Sequence, residues 1–529
     1  MSPANYPAAR GLRAAAAVLV VLLFTACSAL PTDVQRTPSY ALDDTSDSQL
    51  VRNLEPLLQQ HADLSGFRTL MEGEDAFAAR LKIIREAQRS IDAQYYIWHD
   101  DLTGRILHNR LLHAADRGVR VRLLLDDLDT AGKDHILRKL DAHPNLEVRL
   151  FNPFARRDRR GVDFLTDTRR VNHRMHNKTL TADSIATIFG GRNIGDEYFA
   201  ATTEVGFGDM DALAIGPIAK EVSSQFDLYW NSELVYPLTA FDWDTPVDPA
   251  AVAEFRKQSD AHVKEAVQSE YADVIRQFET IQVDTIADLD FVWSDWALVY
   301  DQPDKINNEE MQAGTHLAPK LFAGMDKTQT ELIIVSPYFV PGDKLTPFLT
   351  GLVDRGVRVR ILTNSLQAND VSLVHAGYMR YREELVAGGV ELYEYKAHAN
   401  KVRRKEEKKS RKDKSYIGAS KASLHAKFFA FDGKYLFIGS FNLDPRSVRI
   451  NTELGAYYRS PAGASRLSEV FDERAIRIAY RVELDDNGDI EWVTLKDDRE
   501  LRLDKEPDTT AWKRFSTRVL STFVPESQL

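Results

Sequence analysis

The sequence predicts an α/β protein made of two related halves. Three observations lead there: strands alternate with helices along most of the chain, one seven-residue segment occurs twice, and a sparser set of reactive residues recurs at one constant offset. The repeated segment is Asp116-Arg-Gly-Val-Arg-Val-Arg122 and again Asp354-Arg-Gly-Val-Arg-Val-Arg360. Each copy follows a helix-like stretch and runs into an apolar one, Leu123-Leu-Leu125 or Ile361-Leu362. Neither region is of low complexity, so an internal duplication accounts for both.

In the first half, Phe77, Leu81, Ile84 and Ala87 recur at helical spacing over 75–89, and 90–97 alternates as a strand does. Residues 102–117 read as a helix and 119–126 as the strand it feeds. The second half repeats the order: strand 331–339, helix 344–355, strand 357–364, helix 372–388, strand 390–395. Such alternation implies a largely parallel sheet in each half. The resulting division is a leader at 1–27, a tether at 28–60, a first half at 61–240, a connecting segment at 241–310, a second half at 311–485 and a C-terminal extension at 486–529.

Composition narrows the function. With 43% hydrophobic residues there is material for a substantial core, which excludes a chain disordered throughout. A net charge of −11 argues against coating nucleic acid by bulk charge and leaves only local basic patches for that purpose. One cysteine excludes a disulfide framework and any multi-cysteine zinc site. Beyond the N-terminus no run approaches the ~18–20 apolar residues needed to cross a bilayer.

Arg10 and Arg13, the apolar stretch from Ala14 to Phe24 and the small residues Thr25-Ala26 describe a secretory signal. Cys27 follows directly, and the arrangement resembles a bacterial lipoprotein lipobox, apart from Phe24 where Leu is usual. The resemblance implies that the Cys27 thiol receives a diacylglyceryl group and becomes the mature N-terminus. A plain signal peptide with an incidental cysteine is the alternative. Ser28, rather than Asp, favours the outer membrane over the inner by the sorting rule of such lipoproteins, with the protein facing the periplasm. Residues 28–60, rich in Pro, Asp, Ser and Thr, read as the tether.

At an offset of 249, His176, Lys178 and Asp183 fall on His425, Lys427 and Asp432. The same offset carries Gly190 onto Gly439, Gly191 onto Ser440, Asn193 onto Asn442 and Glu204 onto Glu453. A duplicated scaffold retains mostly apolar residues, whereas this one retained reactive and polar ones. Each His-x-Lys reads as strand, so His and Lys share a face, and the Asp falls at the turn Asp183-Ser184 or Asp432-Gly433. There it braces the hairpin rather than attacking anything. Strands at 185–189 and 435–438 follow.

Such residues suit a phosphate diester. A lysine is a point cation for a non-bridging oxygen, and Asn193, Asn442 or Ser440 supplies a further donor. A neutral imidazole can attack phosphorus, while a second one protonates the leaving alcohol and deprotonates the incoming one. Each half supplies one histidine, so the two halves must face each other. Glu204 and Glu453 are placed to fix the histidine tautomers, as a carboxylate does in a catalytic triad. No metal or other cofactor is expected, because lysine sits within each motif and no ligand set accompanies it.

Paired H-x-K-x4-D motifs, each followed by G-(G/S)-x-N, resemble the signature of the phospholipase D superfamily. The surrounding text is similar to bacterial cardiolipin synthases of the C type, from about residue 70 to the C-terminus. The stretches that carry it include Asp92-Ala-Gln-Tyr-Tyr-Ile-Trp98, Gly190-Gly-Arg-Asn-Ile-Gly-Asp-Glu-Tyr198 and Gly439-Ser-Phe-Asn-Leu-Asp-Pro-Arg-Ser447. The resemblance implies two α/β/α halves related by a pseudo-twofold, with one active site at their interface. It implies phosphatidyl transfer through a phosphatidyl-histidine, with His176 the nucleophile and His425 the acid/base. The partners implied are phosphatidylglycerol, a second phospholipid (phosphatidylethanolamine in the C-type group) and the membrane surface. Hydrolysis to phosphatidic acid, or a secreted phosphodiesterase or nuclease, are the alternatives. Gly191, where a serine is usual, implies that the halves are not equivalent.

Three features stand apart from the motifs. Arg156, Arg157, Arg159, Arg160, Arg169 and Arg170 read either as a contact for anionic lipid or as a solvated loop. The basic run from Lys401 to Lys414 reads as a surface loop, with a polybasic contact for the membrane or for nucleic-acid phosphates as the alternative. Trp512, Phe515, Val519, Leu520 and Phe523 share one helical face, expected to pack onto the domain, with membrane insertion the alternative.

Overall fold

The computed structural model describes residues 30–199, 201, 205–243, 245–266, 285–307, 314–399, 421–496 and 498–523. Cys27, Glu204, the run from Lys401 to Lys414 and the side chain of Phe523 lie outside the described residues.

Each half is organised around one large sheet. The strands of the first, in spatial order, are Val292–Ser294, Ser65–Leu70, Asp211–Ile215, Ala186–Gly190, Thr179–Ala182, Ser90–Tyr95, Arg120–Asp126, Leu146–Phe151 and Val235–Pro237. Those of the second are Trp296–Tyr300, Leu454–Arg459, Tyr435–Gly439, Phe428–Phe431, Glu331–Val335, Arg358–Asn364, Glu391–Tyr395, Ala479–Leu484, Ile490–Lys496 and Arg499–Leu503. The two orders superpose over six successive strands, which is the duplication seen as topology.

The sheets are mixed, not largely parallel. Only Ser90–Tyr95, Arg120–Asp126 and Leu146–Phe151, with their counterparts Glu331–Val335, Arg358–Asn364 and Glu391–Tyr395, run parallel. These are the strands joined by crossover helices. The remaining pairs are antiparallel: tight turns join some, such as Phe428–Phe431 with Tyr435–Gly439, and others pair strands distant in sequence, such as Ser65–Leu70 with Asp211–Ile215. The repeated heptad has a structural meaning here. Gly118 and Gly356 end the preceding helices at φ of 90° and 88°, a left-handed turn that favours glycine. Arg122 and Arg360 are buried in ion pairs, Arg122 with Asp92 at 2.6 Å and Arg360 with Glu331 and Asp472.

Alternate residues of these strands face different cores. Leu213 and Ile215 join an outer core of the first half, whereas Ala212 and Ala214 face the second sheet. Leu332, Ile334 and Phe429 line the outer core of the second half, while Ile333, Val335 and Phe428 face the first sheet. The inner faces therefore share one core, in which Phe67 stacks on Tyr458 at 4.3 Å between centroids. With both faces buried, the strands read as near-continuous apolar runs.

The regions outside the halves are more integrated than expected. Residues 30–60 are not a simple tether: Leu50 and Leu54 of the helix Gln49–Gln60 are buried, and Arg36 donates to the Val235 carbonyl at 2.7 Å. The connecting segment gives Val292–Ser294 to one sheet and Trp296–Tyr300 to the other. The C-terminal extension supplies two edge strands of the second sheet and the helix Ala511–Phe523. That helix does not bury its apolar face, contrary to expectation: Trp512 is 74% and Phe515 59% exposed. The core of the arginine cluster is not a solvated loop. Arg157 and Arg160 lie nearly buried against Asp127, and Arg156 pairs with Asp163 at 2.7 Å.

Candidate active site

Each His-x-Lys lies in extended backbone immediately ahead of a strand, His176 and Lys178 before Thr179–Ala182, His425 and Lys427 before Phe428–Phe431. The backbone N–H of His176 donates to the Thr452 carbonyl, and that of His425 to the Gly208 carbonyl, both at 2.8 Å. Met175 forms a parallel bridge with Thr452, and Leu424 pairs with Gly208 in a short parallel ribbon. Thus the motif of either half is laced to the other half one residue before a carboxylate.

Those carboxylates cross the interface. His176 Nδ1 lies 2.8 Å from Glu453 Oε2, and His425 Nδ1 lies 2.6 Å from Asp209 Oδ2. With Nδ1–H donating to the carboxylate, Nε2 is the basic nitrogen of each ring. Edge-on tyrosines flank both rings, Tyr96 at 5.0 Å from His176 and Tyr198 at 5.1 Å from His425 between centroids.

Asp209 takes the place expected of Glu204. Gly191 N donates to the Met210 carbonyl, as Ser440 N does to that of Leu454, so Asp209 is the structural counterpart of Glu453. The path from Asn193 to Asp209 is five residues longer than that from Asn442 to Glu453. An ungapped offset therefore lands on Glu204.

The two carboxylates are held differently. Glu453 accepts from the hydroxyls of Ser440 and Ser447, the latter at 2.8 Å, and its backbone N–H donates to Asp301 at 2.9 Å. Asp301 is paired in turn with Lys305 at 2.8 Å, so the connecting segment supports the site. Asp209 has no serine at the matching place: a Cβ on Gly191 would sit 2.2 Å from Asp209 Oδ1. Gly191 is thus the space that the shorter carboxylate requires.

Ser440, expected to bind phosphate, is committed to Glu453. Asn193 spans Tyr198 and the Ile97 backbone, donating to the Tyr198 hydroxyl at 2.9 Å and accepting from Ile97 N–H at 3.2 Å. Asn442 is buried, and its carboxamide oxygen has no protein partner. Lys178 donates to the His176 carbonyl at 2.7 Å, and Lys427 to that of His425.

Asp183 and Asp432 stand at the hairpin turns, both with positive φ. The Asp183 carboxylate accepts from the backbone N–H groups of Gln88, Arg89 and Ser90 and from the Ser48 hydroxyl. Asp432 does the same for Gln329, Thr330 and Glu331. Both brace the strand beside the motif.

Burial sets the electrostatics. It pushes the His176 imidazole well below its usual range, and Lys178 and Lys427 push it further. Burial also drives Lys178 well down and Lys427 to about 8. It lowers His425 too, with Lys427 adding to the shift and Asp209 opposing it. For Asp209, burial alone would raise the carboxyl, but His425, Lys427 and Arg192 together hold it below the usual carboxylate range. Glu453 goes the other way: burial lifts it to about 7 against the pull of Lys178. One histidine therefore faces an ionised carboxylate, the other a carboxyl near its midpoint at neutral pH.

Among the described residues, a separate group of His99, Asp101 and Glu197 brings ligand-type atoms within 4.8 Å of one another. It is partly exposed and pairs internally, His99 Nδ1 lying 3.2 Å from Glu197.

The chain matches the family described as cardiolipin synthase, PLD-like domain, over residues 81–230 and 321–475. It is 42% identical over 468 residues to cardiolipin synthase C of Escherichia coli (strain K12), covering 88% of this chain and 96% of that protein. Similarity to cardiolipin synthase A of Pseudomonas syringae pv. syringae (strain B728a) is 26% identity over 73% of this chain and 64% of that protein. Among solved structures, the phosphatidylserine synthase of Haemophilus influenzae Rd KW20 shares the fold, with a TM-score of 0.54 at 15% identity, covering 90% of this chain and 99% of that one.

Proposed function

The chain belongs to the cardiolipin synthase family of the phospholipase D superfamily, and from that premise we propose that its two crossed histidine–carboxylate pairs perform phosphatidyl transfer in two displacements at one phosphorus. His176 Nε2 attacks the phosphorus of a donor phospholipid. The bond to the head-group oxygen breaks, and the His425 imidazolium gives that oxygen its proton. A phosphatidyl group now sits on His176. The terminal hydroxyl of phosphatidylglycerol then gives its proton to His425 and attacks phosphorus, the P–N bond breaks, and cardiolipin leaves. Phosphatidylethanolamine is the donor assigned here.

The observation that carries the assignment is the unlike setting of the paired carboxylates, Glu453 held by the Ser440 and Ser447 hydroxyls and Asp209 set against Gly191 with no such donor at the matching place. His176, kept neutral by burial and beside a half-protonated Glu453, suits a nucleophile. His425, beside an ionised Asp209, has the partner an imidazolium needs. Lys178 and Lys427 supply cations for the non-bridging oxygens, and the bound phosphodiester relieves the repulsion they exert on both rings. Asn442 supplies a further donor; Asp183 and Asp432 act by holding the strands.

The enzyme works at a bacterial membrane, and we assign it a diacylglyceryl anchor on Cys27 that holds it at the periplasmic face, on the outer membrane. Cys27→Ser should release the protein from membranes and remove the lipid mass; membrane retention at unaltered mass contradicts the anchor. For the reaction, vesicles of phosphatidylethanolamine and head-group-labelled phosphatidylglycerol are incubated with the enzyme and products separated by mass. Cardiolipin should form, should vanish with either His176→Ala or His425→Ala, and should fall when phosphatidylethanolamine is omitted. Phosphatidic acid without cardiolipin would make water the acceptor and the protein a hydrolase.

A further inference from the structure

The helix Ala511–Phe523 carries Trp512, Phe515, Val519 and Leu520 at i, i+3, i+7 and i+8, the spacing of one face. A helix of this kind ordinarily buries such a face. Here Trp512 is 74%, Phe515 59%, Val519 40% and Leu520 37% exposed, while Thr517 on the opposite side is 1% exposed. The polar side is the one that packs. Lys513 donates to Gln367 at 3.2 Å, Arg514 donates to the Thr509 carbonyl at 2.7 Å, and the helix lies against Ser372–Tyr378. Val371 and Leu373, at the start of that neighbouring helix, are exposed as well.

The surface adjoins the active site. Gln367 belongs to the loop that carries Asp370, which accepts from the Tyr338 hydroxyl at 2.9 Å. Asn364, where that loop leaves its strand, bonds both backbone groups of Leu424, the residue before His425, at 2.9 Å each. The charge of the helix is one-sided too. Lys513, Arg514 and Arg518 are its only ionisable residues, on a chain of net charge −11. No helix among the described residues is long and apolar enough to cross a membrane.

We propose that the exposed face of Ala511–Phe523, with Val371 and Leu373, is a docking surface for an anionic phospholipid bilayer. It seats Trp512 and Phe515 at the boundary between head groups and acyl chains, sets the exposed Arg518 against lipid phosphates, and brings the loop that carries Asp370 to the membrane plane. The inference rests on the phospholipid reaction proposed above, because a diacyl substrate has to pass from a bilayer into the site. It adds a second contact beyond the anchor, at the opposite end of the chain.

The test has two readouts on the full chain. In the first, vesicles of phosphatidylglycerol with acyl-brominated phosphatidylethanolamine quench tryptophan fluorescence, and Trp512→Phe should remove most of that quenching. In the second, the triple change Phe515→Ser, Val519→Ser, Leu520→Ser should lower cardiolipin formation on vesicles about tenfold. The same variant should leave turnover of monomeric short-chain lipid within about twofold of the parent. Tyr435→Ser, an exposed aromatic at the hairpin-turn end of its strand, should change neither readout. Quenching equal in the parent and Trp512→Phe, or an equal loss on vesicles and short-chain lipid, overturns the proposal. So does a dimer that Phe515→Arg separates, since a second copy would then cover the face. If no lipid is turned over by the parent, the reaction proposed above fails, while the quenching still decides the docking surface.

Discussion

The two halves were built from one plan, and the carboxylates that face their histidines show where they parted. Glu453 reaches His176 with two serine donors and a backbone anchor on Asp301, whereas Asp209 reaches His425 through the space left by Gly191. One methylene more or less would matter little in a brace. Here it accompanies opposite electrostatics, since Asp209 stays ionised and Glu453 is lifted to about 7. Duplication supplies two histidines at one cleft, and only divergence of their partners allows them different tasks.

Removing the charge from each carboxylate tests that divergence most strongly. Asp209→Asn should lower kcat on the order of 10³-fold, because the His425 imidazolium loses its counter-ion. Its pH optimum should also move down, since an imidazole without that anion holds a proton only at lower pH. Glu453→Gln should cost only about tenfold, because Glu453 is already part-protonated near neutrality. Equal losses from the two would mean that the pairs are alike. Gly191→Ser comes next: the added Cβ at 2.2 Å must displace the Asp209 carboxylate, and about 100-fold in kcat should go with it. The mirror change Ser440→Gly removes a single donor to Glu453 and should cost about threefold.

Stability sharpens the same contrast. The folded chain holds a proton on Glu453 up to about 7, against 4.5 for an ordinary glutamate. Its contribution is therefore full below about pH 4.5 and is lost as pH rises through 7, on the order of 3 kcal/mol in all. Denaturant titrations across pH 4–8 should show a shallower fall for Glu453→Gln than for the parent. The braces carry the contrast into the hairpins. Asp183, fully buried with three backbone donors and Ser48, should cost about 3 kcal/mol on change to Ala, and the more exposed Asp432 about 1.5 kcal/mol.

Much of this was legible in the sequence where the duplication kept its spacing. His176, Lys178 and Asp183 and their partners at 425, 427 and 432 were found by offset alone, and the turn position of both aspartates followed from strand periodicity. The partner of His425 was not legible, because the extra five residues before Asp209 break the offset and Glu204 matches Glu453 by position only. Asp301 and Lys305 carry no motif, and their role depends on a connecting segment that runs back under the site. The sheet directions are hidden for a related reason: helix-connected strands announce parallel pairing, while most antiparallel pairs join strands distant in sequence, such as Ser65–Leu70 with Asp211–Ile215, and leave no local signal. The exposed face of Ala511–Phe523 shows the limit of amphipathic spacing, which says that a face wants cover and not what covers it.

The division of labour between the histidines can be read directly from the covalent intermediate. The enzyme is mixed with phospholipid vesicles, stopped in base within a turnover and digested, and the phosphatidyl group is located by peptide mass. The adduct should lie on the peptide containing His176 and never on that containing His425. A phosphatidyl group on His425 would reverse the roles and contradict the link drawn here between carboxylate charge and chemical task.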